Sequence, residues 1–112
     1  MKGDYLGAFE ELVLLAVQAL GEDAYGANIE RTLEREARRP VSLGAVHTAL
    51  ERLEAKGLVD SQDSEPVGER GGRRRRIFRL TRHGRVVLRE TGAIRERVAG
   101  IGRSAARGGK PA

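Results

Sequence analysis

With 112 residues the chain is one small domain, able to bury only about two-thirds of its unfolded surface, so self-association is expected. Lys and Arg number 21 against 16 Asp and Glu, a formal charge of +5 that favours a polyanionic partner, and 39% apolar content excludes a wholly disordered basic protein. The absence of cysteine rules out a disulfide framework or a thiolate metal site.

The first segment, YLGAFEELVLLAVQALG, sets Phe9, Leu12, Val13, Ala16, Val17 and Leu20 at helical spacings and stops at Gly21. It is apolar over much of its circumference, which predicts burial against its own domain and against a second surface. The run LVLLAV at 12–17 falls far short of the roughly 20 residues of a membrane span, and Glu10 and Glu11 directly before it exclude a signal peptide. A cytoplasmic protein with no membrane partner is expected. A second helix is expected from Asp23, a candidate N-cap, to about Ala37. Ile29 and Leu33 would point inward, with Glu30, Arg31, Glu34, Arg35 and Arg38 in solvent.

Helix three is the best-punctuated element. Pro40 ends the preceding helix, Ser42 is a good N-cap, and Val41 with Val46 stands at the N′ and N4 positions of a hydrophobic staple. Gly57 suits the left-handed C′ position, which sets Leu53 at C3 and Leu58 at C″, the apolar pair of a Schellman cap. The helix is thereby expected over 43–56. At about 100° per residue, Val46, Leu50 and Leu53 point to the core, flanked by Leu43 and Ala49. The opposite face carries Gly44, Ala45, His47, Thr48, Glu51 and Arg52. Small residues in the first turn allow close approach to another surface, and the His, Thr and Arg that follow hydrogen-bond to phosphate or base edges. An ordinary solvated face is the alternative.

Beyond Gly57, LVDSQ reads as a short strand, and RIFRLT alternates Phe78 and Leu80 on one face with Ile77 and Arg79 on the other. The polar stretch DSEPVGERGG between them suits a hairpin tip, so Arg73 to Arg76 fall where the hairpin turns back into its second strand. Thr81 caps a final helix in which Val87, Thr91, Ile94, Val98 and Ile101 alternate spacings of four and three, a coiled-coil-like stripe that so short a chain does not bury alone. Gly92, Gly100 and Gly102 each weaken that helix by up to about 1 kcal/mol relative to alanine. It therefore needs a partner, and the tail from Ser104 should fray.

His47 and His83 lie on different expected elements with no ligand pattern around them, which speaks against a metal site. There is no phosphate-binding loop; Gly100-Ile101-Gly102 has Ala105 where a third glycine would stand, and no nucleophile elbow occurs. The glutamates lie between arginines on helix faces, as solvated i,i+4 partners. Neither enzymatic activity nor a cofactor is expected.

What remains is an arrangement: a mainly α chain with a small β-hairpin, in the order of a winged helix-turn-helix followed by one more helix. Such folds lay the second helix of the pair in the major groove, and a basic hairpin beside it follows the backbone or places arginine in a narrow minor groove. Alternate strand residues point to opposite faces, so about two of the four arginines meet phosphates at once. A solvated loop and an RGG-type RNA contact are the rival readings of RGGRRRR; the second has one copy and no low-complexity surroundings. For the whole chain the rivals are a winged-helix module whose basic wing binds an acidic protein, and a general nucleic-acid binder.

In order, FEELVLLAVQAL, the AYG opening of helix two, SLGAVHTALERLEAKGLV and ERGGRRRRIFRLTRHG resemble the PadR-like family of winged-helix transcriptional regulators, over about residues 6–88. Two positions depart: His47 stands where the family typically has the tyrosine of a G-x-x-Y pattern, and Ile77 replaces the first of two aromatics, leaving Phe78. The resemblance implies a homodimer, most often a repressor, held by its first and last helices. Pattern and resemblance together give an expected DNA contact set of Ser42, Gly44, Ala45, His47, Thr48 and Arg52 on helix three, with Arg70, Arg73, Arg74, Arg75 and Arg76 on the wing. The expected dimer contacts are Tyr5, Leu6, Phe9, Val13, Val87, Thr91, Ile94, Val98 and Ile101. Two-fold symmetry implies an inverted-repeat operator in double-stranded DNA. Some relatives sense planar aromatics through tryptophan; this chain has none, and no small-molecule effector is assigned. The expected organisation is a winged-helix domain at 1–81 that includes the first helix, a dimerisation helix at 82–103 and a disordered tail at 104–112.

Overall fold

Among the described residues, four α-helices and two antiparallel strands follow one another in the order that the periodicity predicts. The computed structural model describes residues 6–64 and 75–107. Helix α1 spans Ala8–Leu20, α2 Gly26–Ala37, α3 Leu43–Ala55 and α4 Arg82–Arg107; strands β1 and β2 span Val59–Asp63 and Arg76–Leu80. The core forms where α1, α2 and α3 meet the sheet and the start of α4, from Val13, Leu14, Val17, Ile29, Val46, Leu50, Leu53, Leu58, Val59, Phe78 and Val87.

The ends of α3 are closed as its punctuation predicts. Ser42 Oγ accepts a hydrogen bond from the Ala45 N–H at 3.1 Å. At the other end Gly57 has φ +77°, its N–H donates to the Glu54 carbonyl at 3.0 Å, and the Leu58 N–H donates to the Leu53 carbonyl at 2.9 Å. Those are the two bonds of a Schellman motif, and Leu53 and Leu58 are both buried beneath it.

The chain then runs antiparallel through β1 and β2, pairing Val59 with Leu80 and Asp63 with Arg76 at the two ends of the ladder. Thr81 joins the hairpin to α4. Its Oγ1 accepts from the Gly84 N–H at 2.9 Å and donates to the Gly57 carbonyl at 2.6 Å, while its N–H donates to the Leu58 carbonyl at 3.0 Å. Gly84 lies so close to this turn that a Cβ there would stand 2.0 Å from the Leu58 carbonyl oxygen.

Four expectations are corrected. Helix α2 begins at Gly26 and not near Asp23. Residues Gly21–Asp23 form a 3-10 turn, and Tyr25 is extended because it pairs with Ile77 alongside β2, where the Phe78 N–H donates to the Ala24 carbonyl at 2.9 Å. Asp23 assists through its carbonyl, which accepts from Asn28 Nδ2 at 3.0 Å. Helix α3 ends one residue early, with Lys56 as its C-cap. Helix α4 continues past Ser104 to Arg107, since Ala105, Ala106 and Arg107 are strong helix formers. Lastly, Glu11 is not solvated: it is buried on α1 and accepts from Arg95 Nε of α4 at 2.6 Å. The expected hairpin tip, at 65–74, lies outside the described residues.

At 26 residues α4 is about 39 Å long. It packs on the core only as far as Leu88 and then leans on α1 through the Arg95 pair, so its second half projects. The Cα radius of gyration of 17.2 Å therefore exceeds the roughly 13 Å of a compact chain of this length. Among the described residues no helix is long and apolar enough to cross a membrane.

The Thr81 junction yields a graded test by urea unfolding. Gly84→Ala should lower stability by more than about 2 kcal/mol, because the added methyl meets backbone that cannot rotate away. Thr81→Ala should cost about 1–2 kcal/mol, the loss of one cap and one donor. Equal midpoints for Gly84→Ala and the parent would refute the close approach.

Candidate nucleic-acid interface

Helix α3 presents one apolar and one polar face. Val46, Ala49, Leu50 and Leu53 are buried, whereas Ser42, Gly44, Ala45, His47, Thr48 and Arg52 are all exposed. Helical phase placed Gly44, Ala45, His47, Thr48 and Arg52 together beyond the Ser42 cap, and the fold leaves them exposed. Leu43, expected to flank the core, is instead 40% exposed, because at the first helical position its side chain leans outward over the end of the helix.

The pair α2 and α3 meet at the midpoint of that face. A methyl at Gly26 would approach His47 Cε1 to 2.9 Å, so the imidazole rests on the first turn of α2 where no side chain obstructs it. An open groove of about 570 Å³ runs between α3 and the start of α1, lined by Phe9, Glu10, Thr48, Arg52 and Lys56 among others. Lys56 is neutralised there by Glu10 at 2.9 Å. Arg52 has no acidic partner among the described residues.

On the wing, Arg75 and Arg76 are described and exposed, while Arg70, Arg73 and Arg74 lie outside the described residues. The Arg75 guanidinium stacks 4.2 Å from the centroid of Tyr25, just before α2. Arg76 donates to Ser61 Oγ across the ladder at 3.0 Å. Neither forms an ion pair among the described residues, in contrast to Arg79, which sits 3.6 Å from Asp60. On the hairpin, the described arginines without an acidic partner are thus the ones nearest its tip. Among the described residues no cluster of His, Asp or Glu is arranged to hold a metal ion.

The residues of the expected dimer contact set differ in burial within the protomer. Val13 and Val87 are buried in the protomer's own core, since α1 and α4 each turn one apolar stripe inward. Leu6 and Phe9 are half-buried against that core, and Thr91 is half-buried on α4; Tyr5 lies outside the described residues. Ile94, Val98 and Ile101 are exposed at 44%, 62% and 69%. Leu12 and Leu15, which sequence reasoning left out, are exposed on α1. Helical phase contained the signal: about 100° per residue carries both away from Val13 and Val17.

Residues 13–90 match the family model described as "Transcriptional regulator PadR-like family". The chain belongs to this family and is a transcriptional regulator, not an enzyme. Solved structures agree. A PadR family transcriptional regulator from Eggerthella lenta is 30% identical, with 82% of this chain and 79% of that chain covered and a TM-score of 0.64. A PadR-like transcription factor from Bacteroides fragilis is 26% identical, with 86% and 87% covered and a TM-score of 0.68. The hsRosR-S4 complex gives 27% identity, 92% and 91% coverage and a TM-score of 0.60. No curated protein sequence matches the chain significantly.

The Gly26 contact is open to a spectroscopic check. Gly26→Ala should leave the melting temperature within a few degrees, because alanine's helix propensity, worth about 1 kcal/mol over glycine, offsets the local crowding. The His47 Hε1 resonance should nevertheless move, as the ring yields to the methyl. An unshifted resonance would separate His47 from α2.

Proposed function

We propose that the protein is a homodimeric, sequence-specific transcriptional repressor that sets α3 in the major groove and its basic wing on the backbone or in the minor groove. The observation that carries this reading is the exposed α3 face: a small-residue first turn, then His47, Thr48 and Arg52, beside a strand whose leading arginines have no acidic partner among the described residues. Phosphate contacts would position the protein and α3 would read base edges. Helices of α1 and α4 would form the dimer through Leu12, Leu15, Ile94, Val98 and Ile101, apolar side chains that the protomer leaves open to water. The operator would be an inverted repeat with half-site centres about one helical turn apart, roughly 34 Å.

Salt dependence is the first test. If the dimer neutralises about six phosphates, log K should fall with log salt at a slope near −5, and a slope near zero would sink the reading. Replacing Arg75 and Arg76 by alanine should weaken binding to every duplex and flatten that slope, whereas Thr48→Ala should mainly erode sequence preference. Unchanged affinity of the double arginine variant at low salt would remove the wing from the interface.

Dimerisation is tested by sedimentation. Val98→Asp combined with Ile101→Asp should yield a folded monomer, since both side chains lie outside the protomer core. A variant that still sediments as a dimer would place the interface elsewhere.

A further inference from the structure

The first turn of α3 leaves few groups free to touch a base. Ser42 Oγ accepts from the Ala45 N–H at 3.1 Å, which leaves its O–H as the one side-chain donor there, Gly44 has no side chain, and Ala45 offers a single methyl. Leu43 is the longest side chain of that turn and is 40% exposed. A lone exposed leucine is ordinary on a protein surface, but this one occupies the first helical position. There the Cα–Cβ bond tilts toward the N-terminus, out beyond the end of the helix. In helix-turn-helix docking the N-terminal residues of the second helix are the ones that meet base edges.

An isobutyl group neither donates nor accepts a hydrogen bond, so guanine, cytosine and adenine edges offer it only polar groups that it would strip of water. The thymine C5-methyl is the one methyl group of the major groove and its largest apolar feature. We infer that Leu43 is a specificity-determining residue that packs against a thymine methyl in each half-site. This rests on the proposed placement of α3 in the major groove. Gly44 and Ala45 support it by letting the helix end come close enough for the contact, and the His47 ring, one turn on, lies against Gly26 of α2.

The test is a double-mutant cycle between protein and DNA. A duplex selected by the wild-type protein from a random pool is remade with each thymine in turn replaced by deoxyuridine, which deletes only the methyl. At one position per half-site, wild-type affinity should fall about fourfold, the worth of one buried methyl group, and about fifteenfold with both half-sites changed. Leu43→Ala should bind the thymine and uracil duplexes alike, and Leu43→Met, which keeps an apolar reach, should retain most of the preference. Circular dichroism of each variant verifies that α3 is folded. A Leu43→Ala variant that keeps the wild-type preference for thymine, or a selected site in which no methyl matters, overturns the contact while α3 remains a DNA-reading helix. A pool that yields no preferred sequence overturns the contact and the DNA-reading function together.

Discussion

The Thr81 hydroxyl is the group on which the rest of the architecture depends. It accepts from the first turn of α4 and donates to the carbonyl of Gly57, the residue that closes α3. Only a group that both donates and accepts can do this; an ionised aspartate is acceptor-only and would cap α4 while repelling the Gly57 carbonyl. Gly84 completes the joint, because its missing Cβ is what allows α4 to lie against the Leu58 backbone. Backbone and hydroxyl hydrogen bonds therefore fix the angle between the α3 end and the start of the long helix. Side-chain packing alone leaves more freedom, since apolar contacts are non-directional.

Where a structural signal is complete within a few residues, it was legible. Ser42 with Ala45, Leu53 with Gly57 and Leu58, and Thr81 with Gly84 are each spelled out locally, and so were the ends of α3 and the start of α4. Signals that require a distant partner were not. Asp23 is a plausible cap until Tyr25 is drawn into an extended pairing with Ile77. Glu11 resembles any surface glutamate until the fold brings Arg95 to it from 84 residues away. Helix α1 carried the further difficulty that nearly every side of it is apolar, so its pattern predicted burial without saying which stripe faced the protomer. Val13 lies inward and Leu12 outward, a distinction that only the packed core settles. The exposed positions along α3 were legible because the opposite stripe is uniformly apolar and defines the phase.

Adjacent arginines on the wing are tolerated because strand alternation sends them to different neighbours. Arg75 lies on the Tyr25 ring, Arg76 on Ser61, and Arg79 near Asp60 and Gln62. None of these contacts stabilises the fold much: an exposed cation–π pair contributes about 0.5–1 kcal/mol, and an exposed ion pair about the same or less. A phosphate contact that releases condensed counterions changes affinity roughly three- to fourfold for a fourfold change in salt, and the effect accumulates over contacts. The magnitudes favour a role for these charges in binding over one in folding.

The projecting half of α4 poses the complementary problem. It carries Gly100 and Gly102, has little packing of its own, and exposes Val98 and Ile101. As an isolated segment it would be marginal, since short helices in water gain most of their stability from an apolar face that is covered. In the proposed dimer the partner would cover that face, and the rigid Thr81 joint would then carry the orientation of each α4 to its α3. The distance between the two reading helices would follow from how the long helices cross, and each protomer's few phosphate contacts would act at the effective concentration set by its partner. Dimer packing and DNA affinity would in that case be one coupled equilibrium, and a change that loosens α4 would weaken DNA binding without touching any residue on α3 or the wing.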